Sequence, residues 1–191
     1  MHLSPRLQRT FSLRSNAKYF PAIVRPDKEK LKFKKTLSYA NGYRELGMFK
    51  EALEEIATLS ERLASRLETL QLKLAIFFDA KDWAAAESVA EELTIREPAD
   101  PGNLVNLAFA VRRSQSIAKA KAILADAAKR FPNVAIIHYN LACYDCQDNE
   151  LESAKEKLVQ AISIDPKYLD TARLDEDLAT LAEWLDNLEI A

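Results

Sequence analysis

The amino-acid sequence predicts an all-α fold: a solenoid of four 34-residue helix-turn-helix repeats with a C-terminal capping helix. Three observations favour this fold. Glycine occurs only three times in the chain, which is rich in Ala, Leu, Glu and Lys, so intrinsic propensity favours helix. Apolar positions recur at a constant interval along the chain, and prolines recur at the same interval.

The 34-residue period is clearest in four alanines. Each is preceded, three positions earlier, by a large apolar residue, and a mostly small residue lies twelve positions upstream. Such a shared register predicts one structural unit repeated without insertion. The alanines are Ala52, Ala86, Ala120 and Ala154, and the units are 33–66, 67–100, 101–134 and 135–168.

Each unit contains two helical apolar stripes separated by a short turn, which predicts a helical hairpin. Proline lacks an amide hydrogen and disfavours helix in the residue before it, so Pro98, Pro132 and Pro166 are predicted to end second helices. Gly47 suits the turn inside the first hairpin. The predicted helix boundaries lie near residues 47, 64, 81, 98, 115, 132, 149 and 166.

Several strings in these units resemble tetratricopeptide repeats. They are Gly47-Met48-Phe49-Lys50-Glu51-Ala52, Asp82-Trp83-Ala84-Ala85-Ala86, and Tyr139-Asn140-Leu141-Ala142-Cys143-Tyr144 with Ala154 and Asp165-Pro166. The resemblance covers 33–168 and implies stacked helix-turn-helix units that bind other proteins. Lys81, Gln115 and Asn149 stand where the family often has a turn glycine, and Asp145 stands where a core tyrosine is usual.

The two flanks of the repeats differ in composition. Residues 1–35 carry ten Lys or Arg against two acidic groups, so 1–32 is predicted to be a basic, flexible leader. An import signal is the alternative, because Leu3, Leu7 and Phe11 are spaced four apart among arginines. Residues 169–191 are predicted to form one capping helix with a leucine stripe, an N-cap at Asp175 and Trp184 in a packing role.

The family resemblance implies that the first helix of each unit lines a concave groove. The candidate groove residues are Lys34, Asn41, Arg44, Phe78, Val105, Phe109, Arg112 and Tyr139. Some family members clamp a partner's terminal carboxylate. Asn41, Asn106, Arg112 and Arg113 suggest such a clamp, but Leu37 and Val105 lack the cation that it needs. An apolar segment flanked by acid fits this groove better. The alternative is that Phe78 and Phe109 only complete the core.

No catalytic or metal-binding constellation stands out in the sequence. Cys143 and Cys146 supply only two of the four ligands of a structural zinc site, so two buried, reduced thiols are predicted. The histidines, His2 and His138, are isolated, and no glycine-rich phosphate loop is present. We therefore expect no enzyme activity, no cofactor and no metal. No stretch is long and apolar enough to span a bilayer, and no pattern indicates nucleic-acid binding.

These features predict an adaptor that binds a peptide or helix of another protein in its groove. Two alternatives remain open at this stage: a chaperone for an unfolded or secreted client, and a scaffold that self-assembles, for example as a homodimer through its last helices. Two unpaired cysteines fit a reducing cytoplasm, and the basic leader leaves import into an organelle as the alternative location.

Overall fold

The computed structural model describes residues 28–188, and this part of the chain is helical, with no strand. None of its helices is long and apolar enough to span a membrane. The helices are α1 (Lys28–Glu45), α2 (Phe49–Ala57), α3 (Glu61–Ala64), α4 (Leu67–Asp79), α5 (Trp83–Arg96), α6 (Pro101–Ser114), α7 (Ile117–Arg130), α8 (Ala135–Gln147), α9 (Leu151–Ile164), α10 (Lys167–Arg173), a 3-10 helix (Glu176–Leu181) and α11 (Ala182–Asp186).

Consecutive helices pack as hairpins, and the hairpins stack in chain order. Within units, α1 packs on α2, α4 on α5, α6 on α7 and α8 on α9; between units, α5 packs on α6 and α7 on α8. The four alanines of the repeat period are all fully buried. A side chain no larger than a methyl group lets two helices cross closely, which explains the alanines and confirms the predicted solenoid.

The hairpin ends follow the prolines and short polar residues. Pro98, Pro132 and Pro166 each lie two residues after the last residue of a second helix. Asp82 and Ser116, which occupy equivalent positions in successive units, cap α5 and α7 by accepting the amides of Ala85 and Lys119. These side chains satisfy amides at the first turn of each helix that have no partner within the helix.

Three of the four intra-hairpin turns use a left-handed residue at the same repeat position. Gly47 has φ +74°, and Lys81 and Asn149 adopt φ +57° and +62° although neither is glycine. Gln115, the fourth member of the series, has φ −130° and ψ −83°. The turn geometry therefore persists in two units that lack the family's glycine, at a steric cost for Lys81.

The second helix of unit one is broken, which the sequence did not predict. The helix α2 ends at Ala57, and α3 begins four residues later after Ser60, whose backbone is extended. The break lets Leu59 and Leu63 join Phe33 and Ile56 in the core of the first hairpin. This core also contains Ile76 of α4, so it continues into unit two.

Both predicted flanks differ from the structure. The helix α1 begins at Lys28, so residues 28–32 are helical and do not belong to a leader, while 1–27 lie outside the described residues. The capping region is three short helical segments instead of one helix, because Asp175 is extended and starts the 3-10 helix as its N-cap. Of the leucine stripe, Leu178, Leu181 and Leu185 are buried, but Leu174 is 87% exposed.

We expect Lys81→Gly to raise the free energy of unfolding by about 0.5–1 kcal/mol, because glycine adopts the left-handed turn without the steric cost of a Cβ. Urea denaturation would measure this change. Gln115→Gly is the matched control, since its backbone is not left-handed and its side chain bonds to Glu87 and Lys119. That substitution should destabilise the protein, and equal effects at both positions would contradict the argument.

Candidate functional site

The first helices of the units, α1, α4, α6 and α8, form a shared surface that we call the first-helix face. Neighbouring members contact each other at α1–α4 and at α6–α8. The eight candidate residues all lie on these helices, but their surroundings divide them into three groups. Lys34 is exposed on α1, and Val105 is half-buried against the core of units three and four.

At unit one the face is polar and internally bonded. The Nδ2 of Asn41 donates to Glu45 Oε1 at 2.7 Å, and the Nε of Arg44 donates to Asn41 Oδ1 at 3.1 Å. The Arg44 guanidinium also forms an ion pair with Asp79 at 2.6 Å, which links α1 to α4. Arg44 is therefore already neutralised within the chain.

At units two and three the face carries three mutually packed rings, Phe78, Trp83 and Phe109, which we call the aromatic cluster. The centroids of Phe78 and Phe109 are 5.4 Å apart and those of Trp83 and Phe109 are 5.9 Å apart, both edge to face. All three side chains are half-buried. Edge-to-face packing is a favoured arrangement of aromatic pairs, so the cluster is ordered without being closed to solvent.

Arg113 covers the aromatic cluster. Its guanidinium lies 5.4 Å from the ring centroid of Phe109 and 5.5 Å from that of Trp83. The side chain is exposed and forms no ion pair with any carboxylate in residues 28–188. Trp83 was not among the predicted site residues, because it occupies a packing position of the repeat. Arg113 was outside the predicted groove set, and the sequence indicated it only as one residue of a possible carboxylate clamp.

Beside the cluster, a pocket of about 390 Å³ opens between α4 and α6. Its walls include Phe78 and the side-chain amides of Gln71 and Asn106. Asn103 also lines the pocket, but its Nδ2 lies 3.4 and 3.5 Å from the carbonyls of Leu93 and Glu97. The pocket thus combines an apolar wall with amide side chains and the carboxylate of Asp100, which caps α6 by accepting the amide of Gly102.

At unit four the first-helix face is covered by the chain's own residues 174–188, which we call the C-terminal segment. Tyr139 is buried, and its hydroxyl donates to Asp175 Oδ2 at 2.6 Å. Arg112 donates two hydrogen bonds to Asp177, at 2.6 and 3.1 Å, and its side chain is only 13% exposed. Both residues were expected to face a partner; instead they hold the C-terminal segment.

The two cysteines lie beneath the same segment. Both are buried and unbridged, as predicted, and Cys146 Sγ lies 2.8 Å from the Thr180 hydroxyl. Burial, together with the nearby carboxylate of Asp175, raises the pKa of the Cys143 thiol above its ordinary value. Burial likewise raises the pKa of Tyr144 to about 12. In residues 28–188, no three His, Cys, Asp or Glu side chains are grouped to hold a metal ion.

We expect the Arg112–Asp177 pair to contribute to stability, because it is bidentate and largely shielded from water. A double-mutant cycle of Arg112→Ala and Asp177→Ala should give a coupling energy of about 1–3 kcal/mol. The exposed pair Arg173–Asp170, 3.7 Å apart, is the control and should couple by less than about 0.5 kcal/mol. Equal couplings would show that Asp177 does not fasten the C-terminal segment.

The cysteines report on opening of the C-terminal segment. Asp175→Ala removes both the N-cap of the 3-10 helix and the acceptor for Tyr139, so thiol labelling of the folded protein should accelerate about ten- to thirtyfold. An aromatic disulfide reagent followed by absorbance measures the rate. Asp175→Asn is the control, because it removes the charge that raises the pKa of Cys143 but keeps a side-chain oxygen for the cap and for Tyr139, so its acceleration should be much smaller. Equal acceleration in both variants would contradict this role of Asp175.

Comparison with solved structures supports the same architecture. The chain matches MamA 41-end from Desulfovibrio magneticus RS-1 at TM-score 0.60 and 18% identity, over 81% of this chain and 91% of that one. It matches a MamA RS-1 ArsTM double mutant at TM-score 0.59 and 15% identity, over 74% and 78%. It matches TTC0263, a thermophilic TPR protein in Thermus thermophilus, at TM-score 0.55 and 21% identity, over 81% and 90%.

The sequence comparisons give no match of their own. No protein-family model matches the chain, and no curated protein does so. The likeness to solved structures, at such low sequence identity, therefore establishes the fold. Together with the repeat period and the stacked hairpins, it shows that this chain has a fold of the tetratricopeptide-repeat type.

Proposed function

We propose that this protein binds a segment of another protein on the first-helix face of units two and three. An acidic side chain of the partner would pair with Arg113, and an adjacent apolar side chain would rest on the aromatic cluster. The observation that carries the proposal is the state of Arg113, which is held on two rings and lacks a carboxylate partner in residues 28–188.

The two arginines of the candidate set, unlike Arg113, already have carboxylate partners within the chain. Arg44 is paired with Asp79, and Arg112 is paired with Asp177. A guanidinium that lies over aromatic rings and has no carboxylate partner keeps N–H groups available to bind a carboxylate in bidentate geometry. The rings also limit the conformations of Arg113, so less side-chain entropy is lost when a partner binds.

The neighbouring pocket provides the remaining contacts that an extended segment needs. Gln71 and Asn106 each carry an amide donor and acceptor suited to a peptide backbone. The apolar wall beside Phe78 suits an aliphatic or aromatic side chain. An acidic residue followed by an apolar one is thus the partner chemistry that we propose. Of the remaining candidates, Val105 lies one turn before Phe109 on α6, and Lys34 lies on α1 in unit one.

The polarity of the first-helix face argues against the chaperone that the sequence left open as an alternative. A chaperone with many clients would need a broad apolar groove, whereas this face alternates amides, rings and charged pairs. We therefore propose a selective adaptor that is not an enzyme. Its cytoplasmic location stays a prediction. Pairing of two copies stays a prediction.

A random-peptide display library screened against the full chain tests the groove proposal. We expect enrichment of peptides with an acidic residue next to an apolar one. For a selected peptide, Arg113→Ala should weaken binding about tenfold or more, since a hydrogen bond to a charged group contributes roughly 1.5–3 kcal/mol. Arg113→Lys retains the charge but loses the planar fork of N–H donors, so its affinity should be intermediate. Fluorescence anisotropy measures each affinity.

Lys129→Ala is the matched control for this experiment. It removes one positive charge from an exposed position on α7, away from the aromatic cluster. Its peptide affinity should equal that of the unmodified protein within about twofold, and salt should weaken the peptide's binding to the unmodified protein more than to Arg113→Ala. No enrichment, or selected peptides that bind Arg113→Ala with undiminished affinity, would overturn the proposal.

A further inference from the structure

We propose that a cavity between the second helices α7 and α9, with α8 at its floor, binds a small phosphate ester that carries a free hydroxyl group. The cavity has a volume of about 480 Å³, within the range of about 300–1,000 Å³ that is typical of small-molecule pockets. Two groups of its lining residues have no hydrogen-bond partner in residues 28–188: the Nδ1 of His138 and the ammonium of Lys157. The site shares no residue with the proposed groove.

One end of the cavity is occupied by the chain's own ion pairs. The carboxylate of Asp145 accepts from Lys121 at 2.8 Å and from the Ser153 hydroxyl at 2.6 Å. Lys121 also pairs with Asp148 and Glu150, at 3.0 and 2.7 Å. Three carboxylates surround one lysine there, so this end repels an anion and does not hold the phosphate.

The other end of the cavity, around His138, collects hydrogen-bond donors. His138 precedes Asp145 by seven residues, so the two lie about 10 Å apart along α8. Consecutive helices joined by short turns run in opposite directions, so residues about two turns beyond the Asp145 contacts on α7 and α9 come level with His138. These residues are Lys129 and Gln160, and Lys157 lies one turn nearer the ion pairs. The donors therefore gather away from the carboxylates.

His138 supplies a hydrogen-bond acceptor at the floor of this end. The residue is only 3% exposed, and its Nε2 lies 2.7 Å from the carbonyl of Pro132. A carbonyl only accepts, so Nε2 carries the proton and the Nδ1 of the neutral ring is an acceptor. Nδ1 is buried and has no partner in residues 28–188. A buried acceptor without a partner is costly, and a ligand hydroxyl that donates to it removes that cost.

Lys157 and Lys129 bring positive charge to the same end. Lys157 is half-buried on α9, and its ammonium pairs with no carboxylate in residues 28–188. Lys129 pairs with Asp126 of its own helix at 2.8 Å, but the two side chains are 77% and 75% exposed. Water weakens such a surface pair, so a ligand anion can replace it. The two lysines thus favour an anion at the mouth of the cavity.

A phosphate ester with a hydroxyl group satisfies both the donors and the acceptor. Its phosphate carries about two negative charges and three acceptor oxygens, which match the two ammonium groups and the exposed amide of Gln160. A charged group is costly to bury, so the phosphate stays at the lysines while the hydroxyl donates to the buried His138. A carboxylate has fewer acceptor oxygens and less charge, and therefore fits this end less well.

An NMR titration of the full chain with glycerol 3-phosphate tests the proposal. The ring signals of His138 report binding, and we expect a dissociation constant of about 0.1–5 mM. Propyl phosphate has the same carbon chain and the same charge but lacks the hydroxyl groups. It should bind about three- to tenfold more weakly, because the hydrogen bond to Nδ1 is lost. This comparison tests the acceptor without any substitution in the protein.

Substitutions separate the charge from the acceptor. Lys157→Ala should weaken the binding of both esters about tenfold or more, since a hydrogen bond between charged groups is lost. Lys119→Ala removes an exposed lysine of α7 that does not line the cavity, so both affinities should stay within about twofold. His138→Phe retains an aromatic ring without the acceptor, so it should bind the two esters equally. Circular dichroism checks that each variant is folded.

The proposal fails if glycerol 3-phosphate causes no saturable shift up to about 50 mM, or if the two esters bind the unmodified chain equally. Equal losses of affinity in Lys157→Ala and Lys119→Ala would indicate non-specific attraction to surface charge and would also overturn it.

Discussion

The close crossing of two helices at a buried alanine is the contact on which the rest of this structure depends. Ala52, Ala86, Ala120 and Ala154 have no solvent exposure, and the first helix of each unit carries a buried alanine or leucine twelve positions upstream. Because the spacing between these alanines is constant, every hairpin presents the same surface to the next. The first helices therefore align, and residues far apart in sequence meet on one face.

That alignment also explains how the groove is divided. Carboxylates of the C-terminal segment satisfy the cation and the phenol that the first helices present at units three and four, through Arg112–Asp177 and Tyr139–Asp175. The buried leucines of the segment hold it there, so this end of the face belongs to the core. Arg113, one position after Arg112, points to the aromatic cluster instead. Arg112, which holds the C-terminal segment, and Arg113, which we propose to bind the partner, are thus consecutive residues of α6.

The repeat was predictable from sequence because each unit has an alanine, a proline or a turn residue at the same positions, and these residues act on nearby backbone. The broken second helix of unit one and the three-part cap were not, since Leu59 and Leu63, or Leu174 and Leu178, keep helical spacing across the breaks. The roles of Arg112 and Tyr139 depend on partners 65 and 36 residues away. Hairpin periodicity determines which residues face the groove, but it contains no information on whether the chain's own terminus covers them.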